Sequence, residues 1–342
     1  MTPAPSRSVS SQTETKHCQH LQIVFTATLV LIAGAVFACA AFCQDYPAKP
    51  IRLIVPFAPG GGVDITARLL AQSLSVNLGQ QVVIDNRGGA GGIVGMELAA
   101  RAAPDGYTLL MSHVGFTAMP GLYKKLPFDP VKDFAGVVVA VSGVYVLVVN
   151  PAVPMKSVQE LIAYAKANSG KLGFASAGTG SSIHLAGELF KRMAGLELLH
   201  VPYKGAAPAL TEVVAGEVQM MFGTATNTLP MVKAGKLRAL AVTSAKRSAL
   251  APELPTVAES GLPGFEVVGW YGLAAPVKTP RPLVARINAD TNRALQSTDL
   301  VERLRVQGLE PVGGTPEEAT ELIRNDVARW TKVIRDAGIQ AE

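Results

Sequence analysis

Residues 51–78 read IRLIVPFAPGGGVDITARLLAQSLSVNL. Ile51 to Pro56 is a short β-branched strand. Phe57 to Val63 is a glycine-rich turn. Asp64 to Leu78 spaces Ile65, Leu69, Leu70 and Leu74 as the apolar side of a helix, and Gly79 ends it. The pattern then repeats. Gln81–Asp85 predicts a strand, Asn86–Gly92 a second glycine loop, and Ile93–Ala103 a second helix. After the turn Pro104-Asp105-Gly106, Tyr107–Met111 predicts a third strand. This alternation predicts an α/β fold with a parallel sheet and helices on its faces. Right-handed crossovers put the glycine loops at the carboxyl ends of the strands, the edge where open α/β sheets hold ligands.

Further along, Val137–Val149 (VVVAVSGVYVLVV) is a nearly unbroken β-rich run closed by Asn150-Pro151. A second α/β unit follows. Ser157–Asn168 is a helix with Ser157 as N-cap and Glu160 three residues on, a capping-box pattern. Lys171–Ser176 and Leu198–Val201 are strands on either side of the helix Ser182–Ala194. Ala206–Ala215 is a helix and Val218–Phe222 a strand. Val267–Pro276 is another β-rich run, and amphipathic helices over 281–297 and 316–336 close the chain. The two long β-rich runs bracket residues 150–266. The simplest topology has the chain cross to a second lobe near 145 and return near 267, with two crossings forming a hinge and a cleft. The expected division is lobe 1 over 45–145, lobe 2 over 146–266, and a return to lobe 1 over 267–342.

The 342 residues are 49% apolar and 17% charged, a packed globular composition of one large or two ordinary domains. Residues 1–40 stand apart as a signal peptide: a polar, weakly basic start, the apolar run Leu21–Ala38, then Ala38-Cys39-Ala40 as an A-x-A-like site. An uncleaved anchor is the competing reading, and a lipoprotein site at Cys39 is disfavoured by the bulk of Phe37. Cleavage predicts a soluble periplasmic protein. It leaves Cys43 alone of Cys18, Cys39 and Cys43, which excludes an internal disulfide and a cysteine-built metal site. His113, His184 and His200 lack ligand spacing. Removing residues 1–40 takes away Arg7, Lys16 and Glu14 and turns a net charge of +5 into +4. The charges are dispersed, without the basic, aromatic-laced runs of a nucleic-acid binder, and the mild positive excess suits an anionic ligand.

Two loops carry the functional reading, Pro56–Asp64 and Ala175–His184 (ASAGTGSSIH). Each follows a strand and opens a helix. A helix N-terminus offers about four N–H groups without internal acceptors and a partial positive charge. Glycine lets the backbone close on an anion, and Thr179, Ser181 and Ser182 add hydroxyls. One such loop on each lobe would clamp a carboxylate from two sides; the alternative is that the glycines only shape tight turns. Asp64 either caps its own helix or meets an amino group of the ligand. His184 and His113 either donate to the ligand or pack against the loops. Phe57 walls the pocket or covers a strand end, and Trp270 and Tyr271 read equally as core or contact. A dinucleotide site is excluded, because Gly89, Gly91 and Gly95 have the wrong spacing and the next strand ends without an acid. Ser181 lacks a G-x-S-x-G frame, so a serine hydrolase using Ser181 and His184 is the weaker alternative. No cofactor is expected.

Long segments in order resemble the substrate-binding proteins of tripartite tricarboxylate transporters, the Bug family. They are YPAKPIRLIVPFAPGGGVDITAR, VVIDNRGGAGGIVG, PDGYTLL, ASAGTGSSIHLAGELF, VPYKGAAPAL, AGKLRALAVTSAKR and PTVAESGLPGFEVVGWYGLAAP. The resemblance implies a two-lobed periplasmic binding protein, type II-like, with a Venus flytrap cleft and two interlobe crossings. It implies a small organic carboxylate as ligand and a membrane transporter, or a sensor protein, as partner; the protein is expected to act as a monomer and not as an enzyme. It places Phe57, Gly61, Ser176, Thr179, Gly180, Ser181 and His184 at the ligand, with Gly205 and Ala206 beside them. Gly62, Asp64 and Gly178 complete the expected site. Where the family pattern has V-D-x-M-F-D, this chain has Val218-Gln219-Met220-Met221-Phe222-Gly223. The missing acid at Gly223 favours a carboxylic acid without an amine.

Overall fold

The computed structural model describes residues 46–339, so the signal-peptide reading, with Cys39 and Cys43, falls outside the described residues. Residues from Lys49 onward form one compact unit. Its first strands are β1 (Ile51–Val55), β2 (Val82–Asn86) and β3 (Thr108–His113), with the helices α1 (Gly62–Leu78), α2 (Ile93–Ala100) and α3 (Val114–Leu122) after each in turn. β1 pairs in parallel with both β2 and β3. Gly79 closes α1 in the left-handed conformation (φ 66°) that glycine adopts without a Cβ penalty.

β4 runs sixteen residues, Phe134–Val149. α4 (Val158–Ala167), β5 (Gly173–Ser176), α5 (Ser182–Ala194), β6 (Leu199–Pro202), α6 (Ala206–Ala215), β7 (Met220–Thr224), α7 (Ala225–Lys233) and β8 (Arg238–Val242) follow. β9 (Val268–Pro276), α8 (Arg281–Leu295), α9 (Thr298–Val306), β10 (Leu309–Gly313) and α10 (Pro316–Ala337) complete the chain. The strands lie in the order β2-β1-β3-β9-β4-β7-β5-β6, with β8 and β10 also paired to β4.

The sheet is mixed rather than wholly parallel. β5 pairs in parallel with β6 and β7, but β9 runs antiparallel to β3 and β4, and β7, β8 and β10 run antiparallel to β4. Alternating strand and helix signals impose parallel pairing only within each βαβ unit. β9 follows β8 with no helix between them, and β4 does not pair with β3, the strand before it, so the direction of each is set by the partners it joins. β4 changes partners along its length: 134–144 pairs with β9, while Tyr145–Val149 pairs with β7 and β8.

Two aromatic clusters mark the core. Phe116 meets Phe134 edge-on at 5.1 Å, and Phe190 meets Phe222 at 5.5 Å, with Phe265 completing the second group. The last helix packs on α3 and β4. Its start holds a full capping box between Thr315 and Glu318, and Trp270 Nε1 on β9 donates to Asp326 Oδ2 at 2.7 Å. The box expected at Ser157 forms by half: Ser157 Oγ accepts the Glu160 N–H, while the Glu160 carboxylate reaches back to the Lys156 N–H instead. Among the described residues no helix is long and apolar enough to cross a membrane, and no group of three histidine, cysteine or carboxylate side chains could hold a metal ion.

Candidate ligand site

The first glycine loop joins β1 to α1. Gly60 adopts φ +85°, and its N–H donates to Asp64 Oδ2 at 2.9 Å. Arg68 Nε donates to the same oxygen at 2.9 Å, and Asn86 Nδ2 to Oδ1 at 2.9 Å. Asn86 Nδ2 also donates to the Phe57 carbonyl at 3.0 Å, tying the end of β2 to the loop. Burial alone would raise the Asp64 pKa, but the bonds from Arg68, Gly60 and Asn86 together hold it below the usual carboxylate value. Asp64 thus spends both oxygens shaping the loop. The N-cap of α1 is Gly61, which brings no side chain to the first amides of that helix.

The second loop joins β5 to α5. Gly178 and Gly180 sit at φ +113° and +84°. Ser176 Oγ accepts the Gly178 N–H at 3.0 Å and lies 2.6 Å from His200 Nε2. Ser181 caps α5 by accepting the His184 N–H at 3.3 Å. His184 Nδ1 accepts the Gly180 N–H at 3.2 Å, and its ring lies 4.3 Å from that of His200. Desolvation, helped by the charges of His200 and Lys191, pushes the His184 pKa down to about 3, so the imidazole is neutral. Its Nδ1 faces the loop backbone and the Ser181 hydroxyl faces the helix backbone. Neither arrangement is a serine–histidine nucleophile pair.

These loops meet other turns more closely than the sequence suggested. The Ala58 N–H donates to the Lys204 carbonyl at 3.1 Å. A Cβ built on Gly61 would lie 3.5 Å from the Ala206 Cβ, and one on Gly62 would lie 3.0 Å from Thr224 Oγ1. Thr224 Oγ1 donates to Asn227 Oδ1 at 2.8 Å, and Asn227 Nδ2 donates to the Gly60 carbonyl at 2.7 Å. On the other side, Gly91 packs directly on the Thr179 carbonyl, and a Cβ on Gly178 would lie 3.0 Å from Gly91 Cα. The structure therefore sets Phe57–Gly62 against Gly205–Ala206 and Thr224, and Ala177–Gly180 against Gly91. Thr224 and Asn227 are not singled out by the sequence, and neither is the packing of Gly91 on Thr179 or of Gly88, where a Cβ would lie 3.2 Å from the Lys204 carbonyl. The loop Asn86–Gly92 carried a glycine signal, but it was weighed only as a nucleotide motif; Asn227 carried no signal.

The chemistry that results is a convergence of helix N-termini. Gly61 opens α1 and Gly205 opens α6, both buried and both without a side-chain cap. Buried first-turn amides need acceptors, and neighbouring N-termini concentrate partial positive charge. That arrangement takes an oxyanion without a cationic side chain.

The mixed sheet with helices packed on it matches the architecture of the periplasmic binding proteins, a two-lobed class. The chain belongs to the tripartite tricarboxylate transporter receptor family, whose model matches residues 66–339. BugT of Bordetella pertussis is 39% identical over 315 residues, 90% of this chain and 95% of that protein. The periplasmic binding protein BugD superposes with a TM-score of 0.84 at 38% identity, over 86% of this chain and 100% of its own. R. palustris Rpa4515, solved with adipate, gives 0.83 at 38% identity over 86% and 99%. MatC from Rhodopseudomonas palustris, solved with malate, gives 0.82 at 35% identity over 84% and 100%. Members of this family and these structural neighbours are periplasmic solute receptors, and the chain is accordingly a receptor and not an enzyme.

Proposed function

We propose that this receptor captures a small organic carboxylate in the cleft between its lobes and presents the closed form to the membrane components of a tripartite tricarboxylate-type transporter. The observation that carries the reading is the pair of buried glycine N-termini at Gly61 and Gly205, neither with a side-chain cap, in contact through Ala206. A carboxylate supplies the acceptors those amides lack. Phe57, Gly62, Ser176, Gly178, Thr179, Gly180, Ser181, His184 and Ala206 shape or line the same place, and Asp64 sets the loop. Residues 45–145 with 267–342, and 146–266, serve as the lobes, and residues 1–40 direct the chain to the periplasm, where it acts as a monomer. Two relatives were solved with carboxylic acids that carry no amine. Gly223 agrees with that preference, since its would-be Cβ is filled by the buried Thr228 methyl and leaves no place for an amine-reading acid.

Thermal shifts of the purified protein against carboxylic acids and their methyl esters test the proposal. The acid should stabilise and the matched ester should not. Equal stabilisation by both, or by amino acids alone, would remove it. Native mass spectrometry of freshly purified protein should show a bound acid.

A further inference from the structure

Between the two glycine loops lies a polar group with nothing to do. His113 ends β3 and is the N-cap of α3, its Nδ1 accepting the Gly115 N–H at 3.0 Å. That bond fixes the neutral tautomer and leaves the proton on Nε2. Nε2 is buried and has no hydrogen-bond partner among the described residues. The residue is 1% exposed. Its ring lies 5.0 Å from Phe57 of the first loop. A Cβ on Gly115 would meet the His113 ring at 2.7 Å and the Gly180 carbonyl of the second loop at 2.9 Å. The imidazole thus sits where both loops come together.

A second such group lies on the same face of the sheet. His113 is directly opposite Tyr271 in the β3–β9 register. Two residues along β9, Gly269 has no side chain, and the Tyr145 hydroxyl of β4 occupies the space a Cβ would take. Tyr145 Oη is buried without a well-formed hydrogen bond; its polar neighbours are Ser182, the first residue of α5, and Tyr271. Burial keeps both groups uncharged: His113 is pushed down to about 3 and Tyr145 up to about 12. Buried donors left unmet cost stability, so their presence beside the glycine loops calls for an acceptor.

We infer that His113 and Tyr145 form a second contact for the bound acid, two uncharged donors that read an oxygen function at the end of the ligand remote from the carboxylate. The inference rests on the carboxylate-receptor reading. It gives the ligand class a further attribute: a hydroxyl, keto or second carboxyl oxygen.

Isothermal titration of wild type, His113→Asn and Tyr145→Phe tests it, using adipate and malate beside hexanoate and butyrate. Asparagine keeps the cap on the Gly115 N–H but is too short to replace Nε2. Wild type should prefer one oxygen-bearing acid over its unsubstituted partner of equal length. Each substitution should cut affinity for the oxygen-bearing acid by about 3- to 10-fold, with the unsubstituted acid held at its wild-type affinity. Unchanged preference in both folded variants, or equal loss for both acids, would overturn the inference while leaving the helix-terminus site standing. Failure of wild type to bind any of the four acids would instead remove the carboxylate reading, and this one with it. Thermal unfolding of each variant checks that it folds; should His113→Asn fail to fold, Tyr145→Phe decides alone.

Discussion

Gly91 lies directly against the carbonyl oxygen of Thr179, so closely that a Cβ on Gly91 would fall inside that oxygen. Gly91 also sits at φ +64°, where an L side chain costs about 1–2 kcal/mol. The contact joins two turns that each open a helix, and it can form only while the turns are pressed together. Gly91→Ala should therefore leave the lobes folded but oppose closure. Each ~1.4 kcal/mol lost by the closed form weakens ligand binding about tenfold. Titration with the native acid should show that loss, and small-angle scattering should show a larger particle than wild type with ligand present. Wild-type affinity in the alanine variant would show that binding does not need this contact.

Gly223 gives a stability prediction. It is buried on β7 opposite Val146, and its missing Cβ is replaced by the methyl of Thr228, itself fully buried. Gly223→Asp should destabilise by about 1–3 kcal/mol from crowding alone, and further by the buried charge. Thr228→Ala should restore part of the crowding loss. Urea unfolding of the two single variants and the double variant measures the coupling.

Acid should weaken the fold through its neutral histidines. His113 and His184 have folded pKa values near 3 against an unfolded value near 6.5. Between these limits the unfolded chain binds the extra protons, so stability is full above pH 6.5 and falls as pH drops towards 3. Each imidazole contributes a slope of up to about 1.4 kcal/mol per pH unit in that window. His184→Asn should flatten the decline seen in denaturant titrations at pH 7.5, 6, 5 and 4. An unchanged slope would show that His184 charges in the folded state.

Asp64 tests the frame of the first loop. Its carboxylate joins Gly60, Arg68 and Asn86, and Asp64→Asn should cost about 1–3 kcal/mol through weaker bonds to Arg68 and a donor turned on donors. Ligand affinity should fall as well, since Gly60 and Gly61 depend on that anchor. Equilibrium unfolding and titration separate the two losses.

Much of this architecture was legible in sequence because periodicity and glycine act locally. The strand, glycine turn and helix over 51–78 appear almost residue for residue, since β-branched runs and the spacing of Leu69, Leu70 and Leu74 leave little choice. Elements whose signals are not local were missed. The helix Val114–Leu122 contains Gly115, Pro120 and Gly121, poor helix formers that hold because the helix is buried against α10. β10 (Leu309–Gly313) carries Pro311 and two glycine neighbours, and is a strand only because β4 offers it a free edge. At the site, the glycine turns could be read and their partners could not. Nothing in Asn227 announces that it will reach the Gly60 carbonyl, 167 residues away in sequence. His113 stands out in sequence as a candidate donor after the third strand, but its place between Phe57 and Gly180 comes only from the sheet.

β4 is one unbroken strand that exchanges its neighbours between Val144 and Tyr145. A joint of this kind has no slack to take up. On the lobe division proposed above, parting the lobes twists a hydrogen-bonded ribbon, which resists like a leaf spring. The amplitude of the motion is then governed by the stiffness of a few peptide units near Gly143, and substitutions there would retune the speed of capture and release without touching a single atom of the ligand.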